Sequence, residues 1–336
     1  MYDGNLVVDA TTHTYNWWSE GNCKNYIAKE FSNTTFDLVN GLAPEGYEIE
    51  PERFFKDQTV DDMIGTLFLE SDTDYGVFHS TKITDYYEDG LTRLENGLEA
   101  RDRYPTRVGN VLGSVNPVAD DALEQMEKQV EENDVDGIKL YPVRYKNGRS
   151  LSLALDDPEV GVPLLEKAHE LGVDRISVHK AVPLGRTSFK NFGVDDIHDA
   201  AAMYPDINFE IVHAGFSFLE ETKYLVGRYD NVWANFEITS ALLGAQPRKF
   251  ARVLGELLTW AGPDRILWAT GCLAVHPQPL IERFWEFEFP DDLREEYGYP
   301  ELTEDLKRKI MSENALRLYD EDPDEIRDQI QDDEIA

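Results

Sequence analysis

The sequence is poor in cysteine, poor in lysine and without a long apolar run. Two cysteines, Cys23 and Cys272, occur far apart among 336 residues. That excludes a disulfide framework and suits a reducing interior, so a cytoplasmic location is expected. Of the 32 basic residues only 14 are lysine, against 66 acidic ones, and the net charge is −34. A surface this negative repels nucleic acid and anionic lipid, and neither is expected as a partner. The acid runs through nearly the whole chain. In molar salt the Debye length falls to roughly 3 Å and such self-repulsion is screened. A halophilic protein is therefore expected, an ordinary acidic one being the other reading. No stretch approaches the roughly 18 apolar residues of a membrane span. The opening MYDGNLVVDATTHTYNWW has no basic segment and no long apolar segment, so no signal peptide is expected. No internal repeat and no mid-chain Gly/Ser/Pro linker is visible.

What is present is a core. Apolar residues make up 41% of the chain, with 16 Phe, 16 Tyr and 6 Trp, far too many for a disordered acidic chain. Short apolar runs alternate with helical patterns from end to end. The runs are Asn5–Asp9, Asp74–His79, one within Thr106–Val115, Asp136–Leu140, Asp174–His179, Asn208–His213, Asn231–Glu237 and Arg265–Thr270. They are continuous rather than alternating, as in parallel strands buried on both faces. Eight such strands, each followed by a helix, predict a single (β/α)₈ barrel over residues 1–318. An open doubly wound sheet is the runner-up, but no GxGxxG follows the first strand. Residues 14–59 read as an insertion over the barrel mouth, with a short helix near Asn25–Phe31. Residues 319–336 read as an acidic, solvated tail.

Functional residues of such barrels lie at the C-terminal ends of the strands. His169 and His198 fall inside helical patterns and read as surface or packing residues. The other five of the seven histidines end a strand or follow one: His13, His79, His179, His213 and His276. Asp9, Lys139 and Glu237 also end strands. Imidazoles and carboxylates at one mouth suit a divalent metal of the zinc type, and metal-bound water is a nucleophile at neutral pH.

At these residues the sequence resembles the amidohydrolase superfamily, in particular the branch that includes aminocarboxymuconate-semialdehyde decarboxylase. The resemblance is carried by VVDATTH, GIKLYP, ISVHKAVPLG, YPDINFEIVHAG, RILWATGCLAVHPQPLIERF and SENALRLYD. It implies a metal-dependent barrel that hydrolyses or decarboxylates a small organic acid. The family's first strand usually ends in Asp-x-His-x-His. Here Asp9-Ala10-Thr11-Thr12-His13 keeps the second histidine, while Thr11 stands where the first would be. His179 matches the strand-five metal ligand, and His213 the strand-six histidine that acts on water or substrate. At strand eight Gly271 stands where the metal-binding aspartate would be.

The resemblance thus implies a divalent metal, zinc foremost, on His13 and His179. Asp9, His276 and Cys272 are the candidates for completing the site. His213, Glu237 and Lys139 are the candidate catalytic groups. Tyr15, Trp17, His79 and Thr11 are candidates for contact with a small carboxylic acid. Alternatives stand beside several of these. Cys272 also reads as a small buried residue, Glu237 as a solvated strand end, and Lys139 as an ion-pair partner. Tyr15, Trp17 and Trp18 also read as the core of the insertion. With Thr11 and Gly271 changed, the competing reading of the whole chain is a catalytically degenerate binding protein. The apolar run Trp285–Phe289 either serves a homo-oligomer interface or covers the barrel.

Overall fold

The computed structural model describes the chain apart from residues 18–20, 118, 147, 148, 185–187, 332, 334 and 336. Its centre is an eight-stranded parallel sheet in sequence order. The strands are β1 (Val8–Thr12), β2 (Tyr75–His79), β3 (Val111–Ser114), β4 (Gly137–Leu140), β5 (Arg175–His179), β6 (Asn208–Val212), β7 (Val232–Asn235) and β8 (Ile266–Leu267). β1, β2, β3, β4, β7 and β8 are buried at every position, which is why their sequences do not alternate between apolar and solvent-facing residues. β8 has only two residues, yet the barrel closes. Ala10 N donates to Trp268 O at 3.0 Å, Gly271 N to Thr11 O at 3.1 Å, and His13 N to Cys272 O at 2.6 Å. The architecture is the (β/α)₈ barrel that the alternation of runs and helical patterns predicts.

The insertion folds around one long helix, Tyr26–Leu42, rather than a short one. Asn25 caps it by accepting from Ala28 N at 3.0 Å. Ile27, Ala28, Phe31, Thr35, Val39 and Leu42 are buried along one side. This spacing of three to four residues carries the helix through the polar Ser-Asn-Thr-Thr stretch, where composition alone suggests an end. A hairpin of Val143–Lys146 with Arg149–Ser152 follows β4 and was not expected from the sequence.

The acidic C-terminus departs from the solvated tail expected of it. Pro323–Gln331 is a helix, with Ile326 and Ile330 buried in one cluster with Leu6, Val8, Tyr75 and Leu316. Arg107 pairs with Asp333, and Tyr75 OH donates to Glu321 Oε1 at 2.9 Å. Two isoleucines spaced four apart anchor a segment whose other face is charge. The run Trp285–Phe289 packs within the chain, Phe287 against Phe250 and Phe289 against Tyr299, and so covers the barrel's own helices. Among the described residues no helix is long and apolar enough to cross a membrane.

Candidate active site at the barrel mouth

A cavity opens at the C-terminal ends of the strands. Its polar lining includes His13, Lys139, Tyr141, His179, His213 and Glu237, and the insertion supplies Tyr15, Trp17, Phe31, Leu38 and Val39 among others. His13 follows β1 directly, Lys139 lies in β4, His179 ends β5, His213 follows β6, and Glu237 stands two residues past β7. Two of the lining residues hold left-handed backbone without being glycine, His213 and Ile238, at φ 64° and 57°. Such strain persists only where surrounding contacts over-determine it.

The outer nitrogens of the imidazoles are tied to backbone carbonyls. His13 Nδ1 donates to His79 O at 2.6 Å, His179 Nε2 to Val182 O at 3.0 Å, and His213 Nδ1 to Glu237 O at 2.8 Å. A carbonyl only accepts, so these partners set the tautomers. The inner nitrogens then face inward. His213 Nε2 meets His179 Nδ1 at 3.0 Å, and His13 Nε2 meets Glu237 Oε1 at 3.3 Å. Lys139 Nζ is 3.6 Å from Glu237 Oε2, and His213 Nε2 is 4.0 Å from that oxygen. Lys139 Nζ, Glu237 Oε2 and the Tyr141 hydroxyl are buried without a hydrogen-bond partner.

Burial would raise the Glu237 carboxyl, but His213, Lys139 and His13 outweigh it and hold the group well below the usual carboxylate range. Burial acts the other way on the rings. It lowers His213 to about 4 against the pull of Glu237, and it lowers His179 well below its ordinary value, with His213 and Lys139 adding to the effect. Burial also lowers the Lys139 ammonium, which Glu237 and Glu210 oppose. We therefore read an ionised Glu237 beside two neutral rings, each with its N–H engaged by a backbone carbonyl on the outer side.

Two neutral rings with both outer N–H groups engaged leave two lone pairs facing each other at 3.0 Å. That contact becomes favourable when a proton or a cation is shared there. Among the described residues no three His, Cys, Asp or Glu side chains already stand in metal-holding geometry. The donor types nevertheless fit a divalent ion: inward imidazole lone pairs beside a carboxylate oxygen that lacks a partner.

Five candidates do not join this cluster. Asp9 Oδ1 accepts from Thr11 N and Thr270 N at 3.2 and 3.0 Å, and Asp9 Oδ2 from the Thr270 hydroxyl, so the carboxyl is a strut between β1 and β8. The Thr11 hydroxyl donates to Ala10 O and accepts from Asn235 Nδ2, both at 2.8 Å, inside the barrel rather than at its mouth. His79 is buried beneath the cavity, with Nδ1 3.5 Å from Ser177 Oγ. Cys272 packs among Val60, Met63 and Leu67, where burial drives its thiol well above the ordinary value. His276 lies in a separate groove, 3.5 Å from Glu70 and against the Tyr47 ring. Trp18 lies outside the described residues, and Trp17 both lines the cavity and stacks on Phe54 of the insertion.

Sequence reasoning passed over Tyr141. The signal was there: in GIKLYP it is two residues past Lys139, hence on the same face of an extended chain. Its ring packs 4.1 Å from that of His179.

Imidazoles, an ammonium and a carboxylate at the C-terminal mouth of a barrel define a hydrolase- or lyase-type site. A family model described as amidohydrolase matches residues 8–320, and the chain belongs to that family. No curated protein matches the sequence. Among solved structures it is similar to a TIM-barrel protein from Bordetella bronchiseptica, at 15% identity and a TM-score of 0.67, with 93% of this chain and 98% of that one covered. It is also similar to a dihydroxybenzoic acid decarboxylase from a Polaromonas species, holding manganese and the inhibitor 2-nitroresorcinol. There the identity is 15%, the TM-score 0.56 and the coverage 94% and 97%. A zinc-bound amidohydrolase from Burkholderia multivorans is 12% identical, with a TM-score of 0.59 and coverage of 94% and 100%. The neighbours with named activities are decarboxylases and hydrolases, and two of those cited here hold a divalent metal.

Proposed function

We propose that the protein is a metal-dependent carboxy-lyase or hydrolase acting on a small aromatic acid, with zinc or manganese as the ion. One observation carries this reading: the inner nitrogens of His13, His179 and His213 and the carboxylate of Glu237 meet at one cavity mouth. His13, His179 and Glu237 would hold the ion. When bound, it supplies Lewis acidity toward a substrate oxygen. The chain's own groups do the rest. Tyr15, Trp17 and Phe31 wall the cavity with aromatic surface, suited to a flat ring. Lys139 and the Tyr141 hydroxyl are unpartnered donors placed to bind an acid group and orient it. His213 Nε2 moves the proton. In decarboxylation the bond between ring and carboxyl carbon breaks, carbon dioxide leaves, and the electron pair left on the ring carbon takes a proton that His213 Nε2 has first accepted from solvent. In hydrolysis the proton comes off water instead. The insertion covers the mouth and limits water.

The alternative of a degenerate binding barrel loses ground, because the residues at positions 11 and 271 are the ones changed while three inward imidazoles and a buried carboxylate remain. The test is metal content by elemental analysis, with turnover assayed on a panel of hydroxybenzoates before and after chelation. About one divalent ion per chain is expected, lost together with activity in His179→Ala. Full activity of chelated, metal-free protein sinks the metal part; metal-loaded protein inert on every aromatic acid sinks the substrate part.

A further inference from the structure

The carboxylate of this site comes from the segment after β7, although the family resemblance leads one to expect it after β8. Gly271 holds φ 75°, a left-handed conformation that favours glycine. A Cβ placed on Gly271 would lie 2.9 Å from Glu237 Cγ, 3.1 Å from Glu237 Oε1 and 3.3 Å from Ile238 Cδ1. The Glu237 side chain therefore fills the space into which any side chain at 271 would project. Both backbones are pinned. Glu237 N donates to Asn235 Oδ1 at 3.0 Å, and Glu237 O accepts from His213. Gly271 N donates to Thr11 O, and Gly271 O accepts from the Tyr15 hydroxyl at 3.3 Å. These bonds fix both backbones, so a side chain at 271 is accommodated only if the Glu237 side chain turns away from His13 Nε2. The glycine supplies the vacancy and the glutamate takes it, reaching His13 Nε2 and standing beside Lys139.

We propose that Gly271 is a positioning residue and that 237 and 271 form a compensated pair. The missing side chain after β8 allows the segment after β7 to deliver the site's carboxylate. What that carboxylate serves rests on the proposed function; the packing relation does not.

The test is a thermal-unfolding cycle on the full chain with Gly271→Ala, Glu237→Ala and the double variant. The strain of alanine at φ 75° is common to both backgrounds and cancels in the cycle. Gly271→Ala is expected to lower Tm by at least about 2 °C more when Glu237 is present than in the Glu237→Ala background. In a Glu237→Gln background, which keeps Cγ, no relief is expected. Additive Tm changes overturn the pairing. The second readout is metal content by elemental analysis after loading with zinc or manganese. Glu237→Ala is expected to lose about tenfold or more in metal affinity, with part recovered when Gly271→Asp is added. No recovery in the folded double variant overturns the exchange of carboxylates. Should that variant fail to fold, Gly271→Ala alone decides: unchanged metal affinity overturns the positioning role. Wild-type protein that binds no metal defeats the proposed function, and the Tm cycle then still decides the pairing.

Discussion

Two buried glutamates on neighbouring strands show how this barrel separates structure from chemistry. Glu210, in β6, lies in the layer beneath the mouth. Its two oxygens accept from Tyr319 OH at 2.6 Å and Asn235 Nδ2 at 2.7 Å, and burial raises its carboxyl. Glu237, at the mouth, has one oxygen without a hydrogen-bond partner and is ringed by His13, Lys139 and His213. Neutral donors satisfy the first group and leave it little to do; positively charged and titratable neighbours keep the second ionised and leave it reachable. A buried polar group without a partner costs stability. Three such groups, Lys139 Nζ, the Tyr141 hydroxyl and Glu237 Oε2, share one cavity, while Glu210 and Asp9 are hydrogen-bonded through both oxygens; a ligand in that cavity would complete the bonding.

The largest way to break this comparison is to neutralise each glutamate in turn. Glu237→Gln is expected to lower kcat/KM by about 10²–10⁴-fold, the range for loss of a positioned acid–base or charge-stabilising group. Glu210→Gln is expected to leave turnover within a few-fold and to lower Tm, at a cost of about 1–3 kcal/mol. Steady-state kinetics with melting curves on both variants decides it; equal losses of turnover would erase the distinction.

Asp9 offers a pH test of the layer below. Burial, opposed by hydrogen bonds from Thr270 and Thr11, pushes its carboxyl up to about 7. The fold thus prefers the protonated form, while the unfolded chain releases the proton in the usual carboxylate range. The contribution is complete below that range and is lost as pH rises through about 7. Urea unfolding across this window should show stability falling with pH, on the order of a few kcal/mol in total. Asp9→Asn should flatten that slope, and an unchanged slope would assign it to other groups. The smallest effect concerns Cys272. In its apolar setting Cys272→Ala should cost about 1 kcal/mol and leave metal content unchanged. Loss of metal in that variant would return the thiol to the site.

Much of the fold was legible because it is written in local periodicity. Continuous apolar runs mark strands covered on both faces, and each observed strand except β1 lies within its predicted run; β1 runs three residues further, to Thr12. The strand-end rule named His13, His179, His213, Lys139 and Glu237, which the fold brings to one cavity. Asp9, His79 and His276, named by the same rule, do not join the cluster, since a strand end does not say which way a side chain points. Phe31, Leu38 and Val39, which also line the cavity, lie on a helix whose apolar side is visible from spacing, but spacing does not say which of its residues reach the cavity.

The sequence by itself determined the layers, the chain order of the strands and the residue types available at the mouth, since periodicity and composition act over a few residues. Only the tertiary structure decided which groups meet. His13 and Glu237 are 224 positions apart, and their contact depends on barrel closure through β1 and β8. Whether position 271 is a lost ligand or a vacancy filled from the next strand depends on a side-chain direction set by that closure. Such long-range register leaves no local mark in the chain, because it comes from the packing of the whole barrel.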